Sequence, residues 1–321
     1  MAIKDSGYDY GRVGVLMGGP SSEREISLKS GKAVYEVLRA AGLDAVAIDL
    51  KTGDLKKAAK IIRGKGIDVA FIALHGRFGE DGQVQRVLED LDLPYTGSGV
   101  LASWLSLDKI LSRQVFKIYN LDVPSSQVYY RRGLDKKRVL KECPRFPVVV
   151  KPATHGSSIG LSIVDNKKDL LRALDSAFAL DECVLVEKYI SGREVTVGIL
   201  GNTALPVVEI IPAGEFFDYE AKYKSGDTRY VVPAKLNQKD RQKVQEAALR
   251  AYRALGCCGF GRVDIILSAG KPFILEINSI PGFTPTSLLP KAAGAAGIEF
   301  VRLCERLLKL AYEKKEDRLT R

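Results

Sequence analysis

The chain has 321 residues, five cysteines and a formal charge of +10, with 46% of residues hydrophobic and 27% charged. That length suggests two or three domains with enough apolar content for buried cores, and no apolar run approaches the roughly 18 residues of a membrane-spanning helix. The basic residues are spread along the chain without an aromatic-interleaved stripe, which argues against nucleic acid as a partner.

Residues 1–10 are polar and mixed in charge, unlike a signal peptide. Residues 13–17 read as a strand that ends in a Gly18–Gly19–Pro20 turn. A helix is expected from Ser22, with Ser22 and Glu25 forming a capping box. Glu23 is not needed for that box and is a candidate to face a cationic ligand. The segment lacks G-x-G-x-x-G, so it is not a dinucleotide fingerprint. Residues 45–49 and 69–74 are further strands with a lysine-rich helix between them, and a loop follows at 75–82. This alternation predicts an open parallel α/β sheet.

A domain boundary is expected between Gly97 and Asp108. Beyond it the pattern becomes α+β, with a helix over 108–120 and strands at 147–151, 184–189 and 194–200. Residues 216–230 are polar and aperiodic, as a lid would be. Val244, Ala247, Ala248, Ala251, Tyr252 and Leu255 form one helical stripe, and Phe300, Leu303, Cys304, Leu307, Leu308 and Ala311 another; both read as core. The cysteines (Cys143, Cys183, Cys257, Cys258, Cys304) are odd in number and lack paired metal spacing. Free thiols in a reducing cytosol are expected.

The most informative motif is a pair of strands near the C-terminus, GRVD (261–264) and LEIN (275–278), followed by Pro281 and Gly282. Side chains alternate along a strand. Val263, Ile265 and Leu267 therefore share one face, with Arg262 and Asp264 on the other. Phe273, Leu275 and Ile277 share a face, with Glu276 and Asn278 opposite. With Ser268, Ala269 and Gly270 as a turn and Leu267 opposing Phe273, Asp264 opposes Glu276 and Arg262 opposes Asn278. Two carboxylates and an amide oxygen then converge beside a guanidinium. Hard oxygen ligands of this kind suit Mg²⁺ shared with a polyphosphate; a hairpin with one solvated face is the plainer reading.

Other segments are weaker alone. In KPATHGSSIG (151–160) a strand delivers Lys151 into a loop whose glycines, backbone N–H groups and hydroxyls can cradle phosphate, although an ordinary hairpin turn reads the same. Glu187, Lys188, Tyr189 and Ile190 end a strand as a purine-binding hinge would, or as any exposed strand end does. Thr284 followed by Pro285 could cap a helix carrying Ser287 and Leu288, whose N-terminus would bind a carboxylate or simply be capped.

Taken in order, these pieces resemble the ATP-grasp superfamily and, more closely, the D-alanine–D-alanine ligase family. GGPSSEREISL, ALHGRFGEDGQVQ, LPYTGSG, DYEAKY, GRVD and LEIN-x-x-PGFTPTS carry the resemblance, from about residue 12 to about 310. It implies an N-terminal α/β domain at 1–104 followed by a two-part ATP-grasp fold, 105–190 and 191–321, the latter with the lid near 216–230. It implies ATP and D-alanine as substrates, two Mg²⁺ ions (or Mn²⁺) on Asp264, Glu276 and Asn278, and a cytoplasmic homodimer serving peptidoglycan synthesis.

The resemblance also implies roles for residues. Lys109 and Lys151 would contact ATP phosphates, with Ser157 and Ser158 in the phosphate loop. Glu187, Lys188, Tyr189 and Ile190 would bind adenine, packed by Phe216 and Leu275, and Glu194 would take the ribose. Glu23 would bind the first substrate's ammonium, with Ser157 and Tyr223 bonded to it. His75 would lie near the first substrate, unless it is only a turn residue bonded to backbone. Arg262 and the Gly282 N–H would form an oxyanion site. Lys222, Ser287 and Leu288 would hold the second substrate's carboxylate. The Lys222–Tyr223 pair favours an amine over a hydroxyl nucleophile, with D-serine or D-lactate as the alternative acceptors. Many members of the family carry an acidic or other residue where this chain has His155, and an ionic or stacking contact with the lid is expected for it.

Overall fold

The computed structural model describes residues 8–156, 159–212 and 228–319. The chain opens as the alternation predicts. Strands β1 (Val13–Gly18), β2 (Ala45–Leu50) and β3 (Val69–Ile72) form a parallel sheet in the order β2-β1-β3. Every residue of β1 is buried, as expected of a central parallel strand covered on both faces. Helices α1 (Arg24–Ala40), α2 (Leu55–Arg63) and α3 (Gln83–Asp90) supply the connections.

The start of α1 differs from expectation. The helix begins at Arg24, so Ser22 and Glu25 form no capping box; both are exposed. Ser21 bridges the turn instead, its hydroxyl accepting from the Glu23 N–H at 3.2 Å and donating to the His75 carbonyl at 2.6 Å. Glu23 takes the N-cap position without a side-chain cap bond and is buried. The turn before it needs glycine. Gly18 has φ +83°, and a Cβ there would collide with the Arg24–Asp49 ion pair, a two-pronged contact of 2.8 and 2.7 Å.

Helices α4 (Val100–Leu107) and α5 (Lys109–Ile118) lead into an antiparallel sheet of order β4-β7-β5-β6. Its strands are β4 (Ser126–Tyr130), β5 (Val148–Pro152), β6 (Ser162–Val164) and β7 (Cys183–Lys188), with α6 (Lys136–Glu142) and α7 (Lys167–Phe178). Asp108 caps α5, its carboxylate accepting from the N–H groups of Ile110 at 2.8 Å and Leu111 at 3.0 Å.

A second antiparallel sheet follows the path β11-β10-β8-β12-β13, with β9 beside β8. It comprises β8 (Arg193–Leu200), β9 (Thr203–Ala204), β10 (Val208–Ile211), β11 (Arg229–Val231), β12 (Phe260–Ser268) and β13 (Lys271–Asn278). Helix α8 (Gln238–Ala254) packs its expected stripe, Val244, Ala247, Ala248, Ala251 and Tyr252, onto this sheet. Helices α9 (Leu288–Ala295) and α10 (Phe300–Leu319) close the chain. Leu303, Leu307 and Leu308 of α10 share one core with Val13 and Val15 of β1 and Val34 and Leu38 of α1. The N-terminal sheet is thus roofed by helices from the far end of the chain.

Helix α9 corrects a second expectation. It starts at Leu288 with Ser287 at the N-cap, so Thr284 does not cap it and Pro285 lies in the preceding turn. The Thr284 N–H donates to Ser287 Oγ at 3.1 Å, a local bond that competes with helix for these three residues.

Candidate active site

The paired strands β12 and β13 bring the expected residues together by a different route. Near the turn Leu267 opposes Pro272, not Phe273, and Ser268 opposes Lys271. The turn is the two residues Ala269 and Gly270, at φ +48° and +73°, the left-handed pair that a tight hairpin of this twist requires. A bulge next to Asp264 then shifts the register by one residue, and Asp264 opposes Glu276 and Arg262 opposes Asn278 as expected. The extra residue is Leu275, between Ile274, which pairs Ile265, and Glu276. It breaks the expected alternation of Phe273, Leu275 and Ile277. Ile274 and Ile277 enter the core instead, while Leu275 and Glu276 both line a cleft.

Around Asp264 the polar groups are closely spaced. Arg262 donates to both carboxylate oxygens at 2.9 Å. Thr196 Oγ1 donates at 2.6 Å and Asn278 Nδ2 at 3.0 Å. Lys109 Nζ lies 3.3 Å from Glu276 Oε2. No group of three or more His, Cys, Asp or Glu converges among the described residues. The set is instead two carboxylates and an amide on one sheet face, each carboxylate already matched to a side-chain cation. These hard oxygens are of the kind a divalent ion takes, but Asp264 already accepts four hydrogen bonds, so an ion would bind by displacing some of those donors.

The cleft itself is a cavity of about 380 Å³ between the two antiparallel sheets. Lys151, Glu187, Lys188, Tyr189, Ile190 and Glu194 line one part of it, Leu275 and Glu276 another. Glu187 and Lys151 are both buried. The Glu187 carboxylate is held by Arg113 at 2.6 Å and by Lys151 at 3.2 Å. Burial pulls the Lys151 ammonium down to about 8, against the raising effect of Glu187. Arg113 also donates to the carbonyls of Pro124 and Leu275, both at 3.3 Å, so one guanidinium ties α5, β7 and β13 together.

At the other end of the hairpin a small pocket is lined by Glu80, Lys109, Gly156, Glu276 and Asn278. Glu80 accepts from the Gly76 N–H at 2.9 Å. Desolvation, and then the charge of nearby Glu23, pushes the Glu80 carboxyl well above its usual range. His75 is buried beside this region and carries a one-way hydrogen-bond chain. Its Nδ1 lies 3.1 Å from the Ile280 carbonyl, which can only accept, so Nδ1 carries the proton. Nε2 then accepts from Ser30 Oγ at 3.0 Å, and Ser30 Oγ accepts from the Phe283 N–H at 3.2 Å. Burial lowers the His75 imidazole to about 4, so it stays neutral near pH 7. The chain clamps Ile280 and Phe283 on either side of Gly282, the proposed oxyanion donor. His75 is bonded to backbone, as the plainer sequence reading held, and it does so at the site.

Lys109, Lys151, residues 187–190, Glu194, Asp264, Leu275 and Glu276 line the large cleft, and Lys109, Glu276 and Asn278 the small pocket; Arg262 is bonded to Asp264, Glu23 lies against Gly76 and Gly156, and His75 against the Ile280 carbonyl two residues before Gly282. Ser287 lies next to Gly282, since a Cβ at 282 would come within 2.8 Å of Ser287 Oγ; Leu288 is the first residue of α9. Ser157, Ser158, Phe216, Lys222 and Tyr223, with most of the expected lid, lie outside the described residues. Arg113, Thr196, Glu80 and Ser30 escaped the sequence reading. For Arg113 a signal existed: Lys109, Ser112, Arg113 and Phe116 form the buried face of α5, and three polar residues at helical spacing on an inward face are unusual.

Comparison with known proteins gives a consistent result. The family model described as D-ala D-ala ligase C-terminus matches residues 121–309, and that described as D-ala D-ala ligase N-terminus matches residues 51–98. The chain is 45% identical over 304 residues to a D-alanine–D-alanine ligase of Syntrophotalea carbinolica, covering 95% of this chain and 97% of the relative. It superposes on the D-alanine–D-alanine ligase from Bacillus anthracis complexed with ATP with a TM-score of 0.84 at 34% identity, covering 96% and 99% of the two chains. For the VanG D-Ala:D-Ser ligase from Enterococcus faecalis the TM-score is 0.80 at 30% identity, covering 94% and 99%.

Proposed function

This chain belongs to the D-alanine–D-alanine ligase family, and we propose that it joins two D-alanines into D-alanyl-D-alanine with ATP, for peptidoglycan precursor synthesis. The observation that carries the reading is the pairing of Arg262 with Asn278 and of Asp264 with Glu276, the two carboxylates lining one cleft with Lys109 and Lys151. The γ-phosphoryl group moves to the first D-alanine's carboxylate, giving an acyl phosphate. The second D-alanine's amine attacks that carbonyl, and the tetrahedral intermediate collapses with loss of phosphate.

Each residue has a place in this scheme. Lys109 and Lys151, with Ser157 and Ser158, hold the ATP phosphates. Glu187, Lys188, Tyr189 and Ile190 bind adenine, with Phe216 and Leu275 on its faces, and Glu194 takes the ribose. Asp264, Glu276 and Asn278 would hold two Mg²⁺ ions, for which Mn²⁺ can substitute. When bound, these ions neutralise charge on the phosphates. Glu23 binds the first substrate's ammonium and positions it with Ser157 and Tyr223, while neutral His75 fixes the Gly282 loop. Arg262 and the Gly282 N–H meet the oxyanion, whose charge develops only in the transition state. Lys222, Ser287 and Leu288 take the second carboxylate.

We also propose domains at 1–104, 105–190 and 191–321, a homodimer, and a cytoplasmic location. No helix among the described residues is long and apolar enough to cross a membrane. The reaction is tested by phosphate release with ATP and D-alanine, D-serine or D-lactate as acceptor. Release that requires D-alanine, with D-alanyl-D-alanine as product, is expected; an ester with D-lactate as the sole product contradicts the reading.

A further inference from the structure

The small pocket beside the hairpin holds two polar groups that the scheme above leaves unused. Ser279, directly after β13, is only 2% exposed, and its Oγ is buried without a hydrogen-bond partner among the described residues. Glu80, on the loop after β3, is half-buried and lines the same pocket. Its Oε2 accepts from the Gly76 N–H at 2.9 Å. Its other oxygen has no hydrogen-bond or ion-pair partner among the described residues. A buried polar group left unmatched calls for a partner from outside the chain. Lys109 lines this pocket too, but its ammonium is turned to the Glu276 carboxylate at 3.3 Å and to the His155 carbonyl at 2.7 Å.

Glu23 comes to the same place from the start of α1. Its Oε2 would lie 2.5 Å from a Cβ at Gly76 and 3.4 Å from one at Gly156. Gly76 is the residue whose N–H Glu80 holds, and Gly156 lines the small pocket. Oxygens from three separate parts of the chain therefore border one small space. That space measures about 20 Å³, room for one water-sized group, and it shares Lys109 and Glu276 with the large cleft. An ammonium is a group of that size, with three donors and no acceptor.

We propose that Glu80 and Ser279 complete the ammonium subsite of the first D-alanine, Glu80 as a second carboxylate beside Glu23 and Ser279 Oγ as a third acceptor. The inference deepens the ligase reading above and rests on it. Three acceptors match the three N–H groups of the ammonium in number, and the two carboxylates match it in sign. The charge of Glu23 disfavours an ionised Glu80, and a cation beside both removes that repulsion. The subsite thus selects an acid that carries an amine. An acid without one leaves two carboxylates facing each other with no cation to match them.

Glu80→Gln separates binding from support of the loop, since its amide oxygen can still accept from the Gly76 N–H while the charge is gone. Initial rates of ligation resolve one KM for each D-alanine and one for ATP. Glu80→Gln is expected to raise the KM of the first D-alanine about tenfold, as loss of a charged hydrogen bond does, and to leave those of the second D-alanine and ATP unchanged. Ser279→Ala should raise the same constant by less. Propionate keeps the carboxylate of D-alanine and lacks the ammonium, so its inhibition against the first D-alanine is expected to be no weaker in Glu80→Gln than in the unaltered enzyme. An unchanged first KM in Glu80→Gln overturns the proposal while the ligase reading stands. Equal rises in all three constants, or weaker propionate inhibition, would mark a structural role and also contradict it. Unaltered protein that releases no phosphate with D-alanine overturns both.

Discussion

Lys151 sits where two opposed effects meet and burial prevails. Burial lowers its ammonium to about 8, and the Glu187 carboxylate 3.2 Å away resists that lowering. The sign of the consequence follows. With Lys151 holding ATP phosphate as proposed, its protonated amine attracts the anion, so that affinity is expected below the Lys151 pKa and is lost as pH rises through it. Removing the Glu187 charge lowers that pKa further. Glu187→Gln is therefore expected to move the alkaline limb of kcat/KM for ATP down by about one pH unit, with little change at pH 6.5. An unmoved limb would show that Glu187 does not support Lys151. The sequence marked both residues as ligands but could not show that they face each other, because β5 and β7 pair across more than thirty residues of chain, and it gave no reason to join Arg113 to them.

Within single elements the hairpin shows what periodicity reveals and what it hides. Polar residues in phase on β12 and β13 were visible, and the pairing of Asp264 with Glu276 followed. The path to that pairing was faulty, since the expected turn was one residue too long and the bulge at Leu275 compensates for it. A bulge at an apolar residue leaves no mark in an alternating pattern, which is why the core role of Ile274 was missed. The bulge lets Leu275 and Glu276 line the cleft together. Deleting Leu275 should restore simple alternation, with Ile274 and Ile277 still in the core and Glu276 still opposite Asp264. Binding of a non-hydrolysable ATP analogue, measured by calorimetry, is then expected to weaken through loss of the Leu275 surface while its Mg²⁺ dependence and the far-UV circular dichroism are kept. Loss of the Mg²⁺ dependence would mean that the bulge also sets the direction of Glu276. The failed capping box on α1 has a similar lesson: Ser22-x-x-Glu25 fits the motif, but Ser21 is the residue within reach of the His75 carbonyl.

Across the whole molecule, the order of elements was legible and the way they close on one another was not. Phe283, next to the Gly282 loop, is fully buried with its ring centroid 5.2 Å from both Phe71 of β3 and Phe260 of β12, edge to face in each case. No local pattern links positions 71, 260 and 283. The N-terminal sheet, the last sheet and the segment at Phe283 therefore share one core, whichever boundaries the domains take. Phe283→Ala is expected to cost about 3–5 kcal/mol and to lower the temperature of one common unfolding transition. Two separated transitions would show that the sheets are independent.

The central claim, ligation through an acyl phosphate on the first D-alanine, is tested most directly by the fate of oxygen. D-alanine labelled with ¹⁸O in its carboxylate is turned over with unlabelled ATP and Mg²⁺, and phosphate and dipeptide are analysed by mass. The account predicts one ¹⁸O in each released phosphate and one in the new amide carbonyl, because the oxygen that accepts the phosphoryl group leaves with it. Phosphate without ¹⁸O, formed alongside dipeptide, would contradict it.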